Sequence, residues 1–247
     1  MYHCIVNPAA GRSHGRELIS VIETFMKDHG NEIEIKETTK VMDAARLARE
    51  ACAAGSQGII GIGGDGTIQE IVTGMLDGQD KCGTPLGIIS CGSGNDLWRS
   101  FGLLSGQKNS VHACLTAVQG GKTLAVDAIR TNDAACLNIA NIGLDARIVD
   151  NAKRFKKVFG KNAYVVSALI SIFSHKNTPL TVSIDDGKEY FEGKFTLVAV
   201  CNGQYYGGNM RIAPSAQMDD GKITFLVVSK SSKAVKGLAI LPSKTAS

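Results

Sequence analysis

The sequence GIIGIGGDGT at residues 58–67 is a short apolar run followed by a glycine-rich loop. The run Gly58–Ile62 has the length and the branched side chains of a buried strand, and Thr67–Leu76 continues with helical periodicity. In such a turn, backbone amides can approach an anion at the amino terminus of the helix. Asp65 repels phosphate unless a cation or a donor hydroxyl lies between them. The loop therefore favours a Mg²⁺-nucleotide or a hydroxyl that becomes phosphorylated.

The spacing of this loop excludes two common nucleotide-binding motifs. It lacks the Gly-Lys-Ser/Thr of a Walker A loop, and its glycines do not have the GxGxxG spacing of a dinucleotide site. An ordinary strand-to-helix turn is the alternative interpretation. The presence of Asp65 and Thr67 favours a functional loop.

Two further loops have the same design. The predicted strand Leu86–Ser90 ends in Cys91-Gly92-Ser93-Gly94-Asn95-Asp96, and the predicted strand Tyr2–Val6 ends in Asn7-Pro8-Ala9-Ala10-Gly11. Capping of the next helix by Asn95 or Asp96 is the structural alternative and is compatible with ligand binding. Ligands of open α/β sheets bind at the carboxyl ends of the strands, so we expect the three loops to line one crevice.

Strands and helices alternate in the first half of the chain, which predicts a parallel sheet flanked by helices. The remaining elements predicted there are a strand over Glu32–Glu37 and helices over Gly15–His29, Ala44–Ala54 (capped by Asp43) and Val111–Gln119. We therefore expect a three-layer α/β nucleotide-binding domain over residues 1–122.

The pattern changes near residue 122 to extended runs joined by turns, which predicts a mostly antiparallel β-sandwich domain over residues 123–247. Helical periodicity in this half is confined to residues 145–173. The predicted strands are Thr123–Arg130 and Cys136–Ile142, joined by a turn at 131–133, then Leu180–Asp185, Tyr190–Cys201 and Ile223–Val228. Asp186-Gly187 and Asp220-Gly221 are the expected hairpin turns.

Composition narrows the class of protein. The 247 residues are 44% hydrophobic, which excludes wholesale disorder. The seven cysteines are odd in number and lack CxxC spacing, so we expect reduced thiols in a cytoplasmic protein. The longest apolar stretch, Tyr164–Phe173, is too short to span a membrane, and no signal peptide precedes the first strand. The five histidines have no metal-ligand spacing.

The chain resembles the diacylglycerol kinase catalytic-domain family of lipid kinases, which includes soluble bacterial lipid kinases. Several motifs carry the resemblance, and they occur in the family's order. They are Asn7-Pro8-x-x-Gly11, Gly63-Gly64-Asp65-Gly66-Thr67-x-x-Glu70, Leu86-Gly87-Ile88-Ile89-x-x-Gly92-Ser93-x-Asn95-Asp96, Val126-Asp127, Asn138-x-x-x-x-Gly143-Leu144-Asp145-Ala146, Asn202-Gly203 and Ala213-Pro214-x-Ala216-x-x-x-Asp220-Gly221.

The resemblance implies a nucleotide-binding domain similar to those of NAD kinase and phosphofructokinase, a β-sandwich domain, and ATP in the cleft. It implies ATP- and Mg²⁺-dependent phosphorylation of a lipid hydroxyl, such as that of diacylglycerol, at a membrane surface. It also implies roles for particular residues. The positions that match nucleotide contacts are Asn7, Pro8, Gly11, Thr38, Gly63, Gly64, Asp65, Gly66, Thr67, Glu70, Gly92, Ser93 and Asn95. Asp65, Asp96 and Asp127 match a catalytic magnesium–water network, and Asp220 with the carbonyls of Gln217 and Lys222 matches a structural Mg²⁺ site.

The resemblance does not supply a general base. In the family, an Asp-Gly-Glu segment follows the stretch that matches Leu241-Pro242-Ser243, and its Glu is the expected base. Neither Asp186-Gly187 nor Asp220-Gly221 is followed by Glu. We therefore expect little turnover from these 247 residues. We also expect Ile223–Val228 to be an exposed edge that leads either to poor solubility or to a homodimer.

Two other functions stay open, an NAD kinase-like enzyme and a nucleotide-binding regulator without activity.

The two halves of the chain differ in net charge, which affects the partners that we expect. Residues 1–125 carry 11 basic and 13 acidic side chains, and residues 126–247 carry 16 basic and 10 acidic side chains. Within the basic half, Lys153–Lys161 is a predicted helix with one apolar face and five cations. It fits peripheral contact with an anionic membrane, or else core packing with a basic outer face. Nucleic acid is not an expected partner.

Overall fold

The computed structural model describes residues 1–77, 82–92, 94–102, 107–143, 178–231, 234–236 and 242–244. The chain forms two compact units, Met1–Leu137 and Asn138–Ser247. The predicted boundary at 122/123 differs from this division. The difference arises because the hairpin that ends at Cys136 packs on a helix of the first unit, where the Ala135 amide donates to the Thr73 hydroxyl over 3.1 Å.

The first unit is built on a four-stranded parallel sheet of order β2-β1-β3-β4. The strands are β1 Tyr2–Val6, β2 Ile33–Glu37, β3 Ile59–Gly63 and β4 Leu86–Ser90. The helices described in this unit are α1 His14–Asp28, α2 Asp43–Ala53, α3 Asp65–Met75, α4 Asp96–Ser100 and α5 Gln107–Gly120, with a 3₁₀ turn at Ala10–Ser13 before α1. A short antiparallel hairpin follows, formed by β5 Ile129–Arg130 and β6 Ala135–Cys136.

Alternate residues of the sheet face helices on opposite sides, which gives the three layers that the sequence predicted. On one face the sheet packs against α1 and α5 in a buried cluster that includes Cys4, Val6, Ile22, Met26, Ile60, Ile62, Ile89, Cys114 and Leu115. On the other face α3 lies so close to β3 that a Cβ on Gly61 would be 2.7 Å from the Cδ1 of Ile71. Gly61 therefore sets the distance between helix and sheet.

Helices α2 and α3 also contact each other closely. Gly74, near the end of α3, lies against the backbone of Ala45 in α2, and a Cβ there would overlap the Ala45 carbonyl. Both residues are buried. The two helices therefore meet backbone to backbone at this point.

The second unit is antiparallel, as predicted. Its principal sheet has the order β14-β13-β10-β7, with β15 also paired to β13. Its strands are β7 Ile139–Gly143, β8 Thr178–Ile184, β9 Glu189–Phe195, β10 Leu197–Cys201, β11 Tyr205–Tyr206, β12 Met210–Arg211, β13 Lys222–Ser231, β14 Ala234–Lys236 and β15 Pro242–Lys244. The buried core of the unit includes Ala199, Cys201, Ala213, Ala216 and Leu226.

Two predictions for this unit are changed by the structure. The stretch Tyr190–Cys201 is two strands, because the chain changes its pairing partner at the buried Thr196: β9 pairs with β8 up to Phe195, and β10 pairs with β13 from Leu197. β13 pairs with β10 along Thr224–Val228, and on its other side with β15 at Lys222–Thr224 and with β14 at Ser229–Ser231. Among the described residues, Phe225–Val228 therefore pairs with a strand on one side, and the edge-mediated homodimer stays a prediction.

Other differences are local. Asp186-Gly187 does join a hairpin, β8 to β9, but Asp220-Gly221 leads into β13, whose partners do not include β12. The predicted strand Thr123–Arg130 is reduced to its last two residues. Asp43 is the first residue of α2 rather than its cap. The capping position belongs to Met42, which has a left-handed backbone with φ of 65°.

Some predictions fall outside the described residues. These are the contact assigned to Ser93, the helical stretch 145–173 and, within it, the basic helix Lys153–Lys161. In the part of the chain that the structure describes, no helix has the length and apolar composition of a membrane span.

Candidate functional site

The candidate site lies between β1 and β3, where the connections between successive strands reverse their direction along the sheet. From β1 the chain moves outward to β2, and from β3 it moves the other way to β4, so the carboxyl ends of β1 and β3 form a topological switch point. The loops that leave these two strands are in contact. The side-chain amide of Asn7 donates to the hydroxyl of Thr67 over 2.9 Å. The predicted meeting of these two loops is therefore present.

Two glycines allow these loops to approach one another. A Cβ on Gly92 would be 2.6 Å from the Cα of Gly64, and Gly11, with φ of +60°, lies against the carbonyl of Cys91. These contacts join the loops after β1, β3 and β4 into one structure, which is a packing role that the sequence did not reveal. Gly63 acts within its own loop, where a Cβ would be 2.5 Å from the Cβ of Thr67.

Gly66 differs from its neighbours in the same loop. It is exposed in the first turn of α3, and a Cβ there would have no described atom within 4 Å. Among the described residues, no packing contact accounts for glycine at this position. The open space lies beside the first amides of α3, which have no acceptor within the helix. It is a place where a phosphate can approach the backbone.

Asp65 links the second loop to the third. Its carboxylate accepts hydrogen bonds from the backbone amides of Asp96 over 3.2 Å and of Leu97 over 3.1 Å. Asp65 thus caps α4 from a position 31 residues earlier in the chain. The predicted capping of this helix by Asn95 or Asp96 is wrong, because the capping position is Asn95 but its side chain makes no capping bond.

Asn95 presents a different feature. It has a left-handed backbone with φ of 57°, and its Oδ1 atom is buried. Among the residues that the structure describes, this oxygen accepts no hydrogen bond. It lies 3.0 Å from where a Cβ on Gly92 would be, at the contact between the second and third loops. A buried acceptor of this kind is satisfied by a donor from a ligand or a bound water.

The other two predicted acids are placed differently. Asp96 is buried, and its carboxylate lies 3.3 Å from the guanidinium of Arg99, which also donates to the carbonyl of Gly94. Asp127 is half-buried in the segment before β5. In the described residues, no three carboxylate, thiol or imidazole groups form a cluster that could hold a metal ion.

The loop after β2 forms the edge of the site. The Thr38 amide donates to the carbonyl of Val6 over 2.8 Å, which fixes the start of this loop beside β1. Glu70 of α3 accepts from the Ala44 amide in the first turn of α2 over 3.3 Å. Thr38 and Glu70, both predicted nucleotide contacts, therefore lie on elements that flank the first two loops.

Asp43 holds the loop after β2 in place through hydrogen bonds to Thr39. Its buried carboxylate accepts from the amide of Thr39 over 2.9 Å, from the Thr39 hydroxyl over 3.0 Å and from Arg46 over 2.6 Å. The Thr39 amide, followed by Arg46, lowers the pKa of Asp43 from 3.8 to about 2. The carboxylate is charged in the folded chain at any pH above this value.

The lowered pKa of Asp43 predicts acid sensitivity. The stabilisation is complete above the unfolded pKa of 3.8 and is lost as the pH falls through the folded pKa of about 2. We expect the difference in urea midpoint between wild type and Asp43→Asn to be largest at pH 5 and to shrink at pH 2.5. A difference that is equal at both pH values would show that the Asp43 charge does not stabilise this edge.

The predicted metal ligands of the second unit lie within residues 217–222, which lead into β13 at Lys222. Asp220 is exposed, and its carboxylate accepts from the Lys222 amide over 3.0 Å, while Gln217 is exposed nearby in sequence. The preceding loop is organised by Gln204, a residue that the sequence analysis missed. Its side-chain amide donates to the carbonyl of Ala216 over 2.9 Å, and its Oε1 accepts from Arg211 over 2.9 Å. No local motif marks Gln204, since its partners are distant in sequence.

Each of the two units matches a known protein family. Residues 1–131 match the family model described as the diacylglycerol kinase catalytic domain, and residues 138–245 match the YegS C-terminal NAD kinase beta sandwich-like domain. A protein from Enterobacter sp. (strain 638), named "Probable lipid kinase YegS-like", is 32% identical over 214 residues, which are 85% of this chain and 69% of the relative. A "Probable lipid kinase YegS" from Salmonella schwarzengrund (strain CVM19633) is 27% identical over 213 residues, with the same coverage.

Solved structures agree with these matches. A crystal structure of a diacylglycerol kinase from Bacillus anthracis str. Sterne has a TM-score of 0.71 and 26% identity, and the match covers 92% of this chain and 72% of that one. A second structure from the same strain gives a TM-score of 0.74 with the same identity and coverage. The likeness extends over both units of the chain.

Proposed function

This chain belongs to the diacylglycerol kinase catalytic domain family, and we propose that it transfers the terminal phosphoryl group of ATP, with Mg²⁺, to the hydroxyl of a lipid such as diacylglycerol. The observation that carries the proposal is the contact between the loops after β1, β3 and β4 at the switch point of the sheet, with Gly66 open beside the start of α3. Phosphoryl transfer depends mainly on positioning and on charge stabilisation, and this arrangement supplies positioned backbone amides.

The residues of the site fit a nucleotide. The amides at the start of α3 can donate hydrogen bonds to the phosphates, and the buried Oδ1 of Asn95 can accept a hydrogen bond from the ligand. The backbones of Gly64 and Gly92 are in contact, and neither residue carries a side chain. We call this contact the floor of the site. Thr38 and Glu70 flank this floor on the β2 side, where the rest of a nucleotide would extend.

The residues also fit a magnesium ion that reaches the protein mainly through phosphates and water. Mg²⁺ keeps several waters and needs only one or two carboxylates beside the substrate phosphates, so a cluster of three acids is not required. Asp65 accepts two amide hydrogen bonds and has lone pairs left for a metal-bound water. When bound, Mg²⁺ would neutralise charge on the transferred phosphoryl group. Asp96 is held beside Asp65 through the same bonds.

The proposal predicts that a substitution at Gly66 lowers the affinity for the nucleotide without lowering the stability of the protein. Gly66→Ala adds a methyl group in open space within a helix, so we expect unchanged or slightly higher stability, by up to about 1 kcal/mol. The same methyl group would occupy the approach of the phosphate, so we expect at least a tenfold loss of affinity for Mg-ATP. Gly120→Ala, at the last residue of α5, is the matched control and is expected to bind as wild type.

Thermal shift with ATP and Mg²⁺ measures this difference directly. At 100 times its dissociation constant, a ligand stabilises the folded state by about 2.7 kcal/mol. If neither ATP nor ADP with Mg²⁺ raises the Tm of wild type, the proposed nucleotide site is wrong. If Gly66→Ala binds Mg-ATP as wild type does, the phosphates do not lie at the start of α3.

The acceptor is tested by phosphate transfer from labelled ATP. Because no general base is assigned in these 247 residues, we expect slow transfer to diacylglycerol in mixed micelles, compared with phosphatidylglycerol, ceramide and sphingosine. NAD belongs in the same panel, because the second unit matches a domain described as NAD kinase beta sandwich-like. Transfer to NAD alone would replace the lipid kinase with an NAD kinase. Mg-ATP binding without transfer to any acceptor would favour a nucleotide-binding regulator.

A further inference from the structure

Two cysteines of the first unit lie in contact, although they are 30 residues apart in the sequence. Cys52 is in the last turn of α2 and Cys82 is in the segment before β4, and their Sγ atoms are 3.5 Å apart. Both residues are half-buried. Four of the other cysteines, at 4, 91, 114 and 201, are buried. The Cys52–Cys82 pair therefore combines mutual contact with access to a small reagent.

We propose that Cys52 and Cys82 are a site of reversible oxidation, at which a small disulfide such as oxidised glutathione converts the two thiols into a disulfide bond. The sulfurs need to approach by about 1.5 Å to reach the length of this bond. The proposal does not depend on the nucleotide site or on phosphoryl transfer.

The reaction consists of two exchanges. The thiolate of one cysteine attacks the oxidised reagent, so that a mixed disulfide forms and one reduced thiolate leaves and takes a proton. The second cysteine then loses its proton and attacks the protein sulfur of the mixed disulfide, and the other reduced thiol leaves. The protein loses two protons and two electrons, and one reagent disulfide becomes two thiols. A dithiol reductant reverses both steps.

The environment of Cys52 makes the exchange dependent on pH. Burial, followed by the neighbouring Cys82 thiol, raises the pKa of Cys52 from 9.0 to about 11. Burial raises the pKa of Cys4, Cys114 and Cys201 to about 12, and these thiols lie in the core. Since the thiolate is the attacking species, we expect the rate of oxidation to increase as the pH rises from 7 to 9.

The bond would enclose the centre of the first unit. The chain from Cys52 to Cys82 contains β3, the loop 63–67 and α3, so the disulfide would tie the end of α2 to the start of β4 around them. A cross-link of this size reduces the conformational freedom of the unfolded chain. We therefore expect the oxidised protein to unfold at a Tm several degrees above that of the reduced protein.

The test uses the full chain, equilibrated at pH 8 in glutathione buffers that range from reduced to oxidised. Free thiols are alkylated before tryptic digestion and mass analysis. Trypsin cleaves after Arg49, Lys81 and Arg99, so Cys52 lies on fragment 50–81 and Cys82 on fragment 82–99. We expect these two fragments to be joined in oxidised wild type, and released by dithiothreitol. Because Cys91 shares fragment 82–99, Cys82→Ser identifies which sulfur is bonded.

The variants distinguish the outcomes. Cys52→Ser and Cys82→Ser are expected to accumulate a mixed disulfide with glutathione and to show no rise in Tm on oxidation. Cys136→Ser, which alters another half-buried thiol, is expected to cross-link as wild type. The proposal is overturned if wild type in fully oxidised glutathione keeps Cys52 and Cys82 alkylatable. It is equally overturned if the fragments remain joined in Cys82→Ser, or if the joined protein has the Tm of the reduced one.

Discussion

Replacement of Asp65 by alanine is expected to abolish the stabilisation of the protein by Mg-ATP and to lower nucleotide affinity by at least two orders of magnitude. Its carboxylate supports the amides of Asp96 and Leu97, so its removal leaves the start of α4 uncapped. Loss of a capping side chain costs about 1 kcal/mol, and loss of hydrogen bonds to a charged group costs about 1.5–3 kcal/mol. We therefore expect a lower free energy of unfolding as well as the loss of binding.

Asp65→Asn removes the charge and keeps part of the cap. The two amide hydrogen bonds are accepted by the two different carboxylate oxygens, and asparagine keeps one acceptor oxygen, so this variant should unfold at a denaturant concentration between those of wild type and Asp65→Ala. It lacks the negative charge, so its affinity for ATP should no longer increase when Mg²⁺ is added. Calorimetric titration with ATP, with and without Mg²⁺, measures this dependence. If Asp65→Asn keeps the full Mg²⁺ effect, Asp65 is a capping residue and has no role toward the metal.

The second large effect is expected in the contact between α2 and α3. Gly74→Ala would place a methyl group on the carbonyl of Ala45, with backbone on both sides and no flexible side chain to move aside. Overpacking of this kind costs about 1–3 kcal/mol, and the gain in helix propensity offsets about 1 kcal/mol at most. We expect a lower Tm for the first unit, by roughly 2–4 °C for each kcal/mol of net loss.

The Gly66→Ala and Gly120→Ala variants are the controls for this result. Each adds the same methyl group to a helix, but at positions where it meets no close neighbour. Denaturant unfolding should show a decrease in midpoint for Gly74→Ala alone, with an unchanged slope. Equal stability of all three variants would mean that α2 and α3 can move apart without loss.

The sheet and the three loops could be predicted from the sequence because their signals are local. The branched residues of Ile59–Gly63 and Leu86–Ser90 mark buried strands, and a glycine-rich turn follows each of them. The strands of the second unit were predictable where a turn separates them, as at Asp186-Gly187. In these cases the residues that determine an element lie within the element.

The errors share one physical origin, which is contact between residues far apart in the chain. The β pattern over 190–201 divides at Thr196 because the chain pairs with β8 before this residue and with β13 after it. Asp65 caps α4, although Asn95 occupies the capping position and has a suitable side chain. Gln204 organises a loop through Ala216 and Arg211, without any motif of its own. Local patterns contain no information on such pairs.

The contact between Gly64 and Gly92 has a consequence for the study of related sequences. A Cβ on Gly92 would be 2.6 Å from the Cα of Gly64, and a Cβ on Gly64 would be 3.2 Å from the Cα of Gly92, so each residue meets backbone and enlargement of one cannot be compensated by reduction of the other. Covariation methods infer proximity from paired substitutions, and this pair offers none that preserve the geometry. We expect such methods to recover the neighbouring Asn7–Thr67 pair, whose side chains can exchange donor and acceptor, and to pass over the glycine contact.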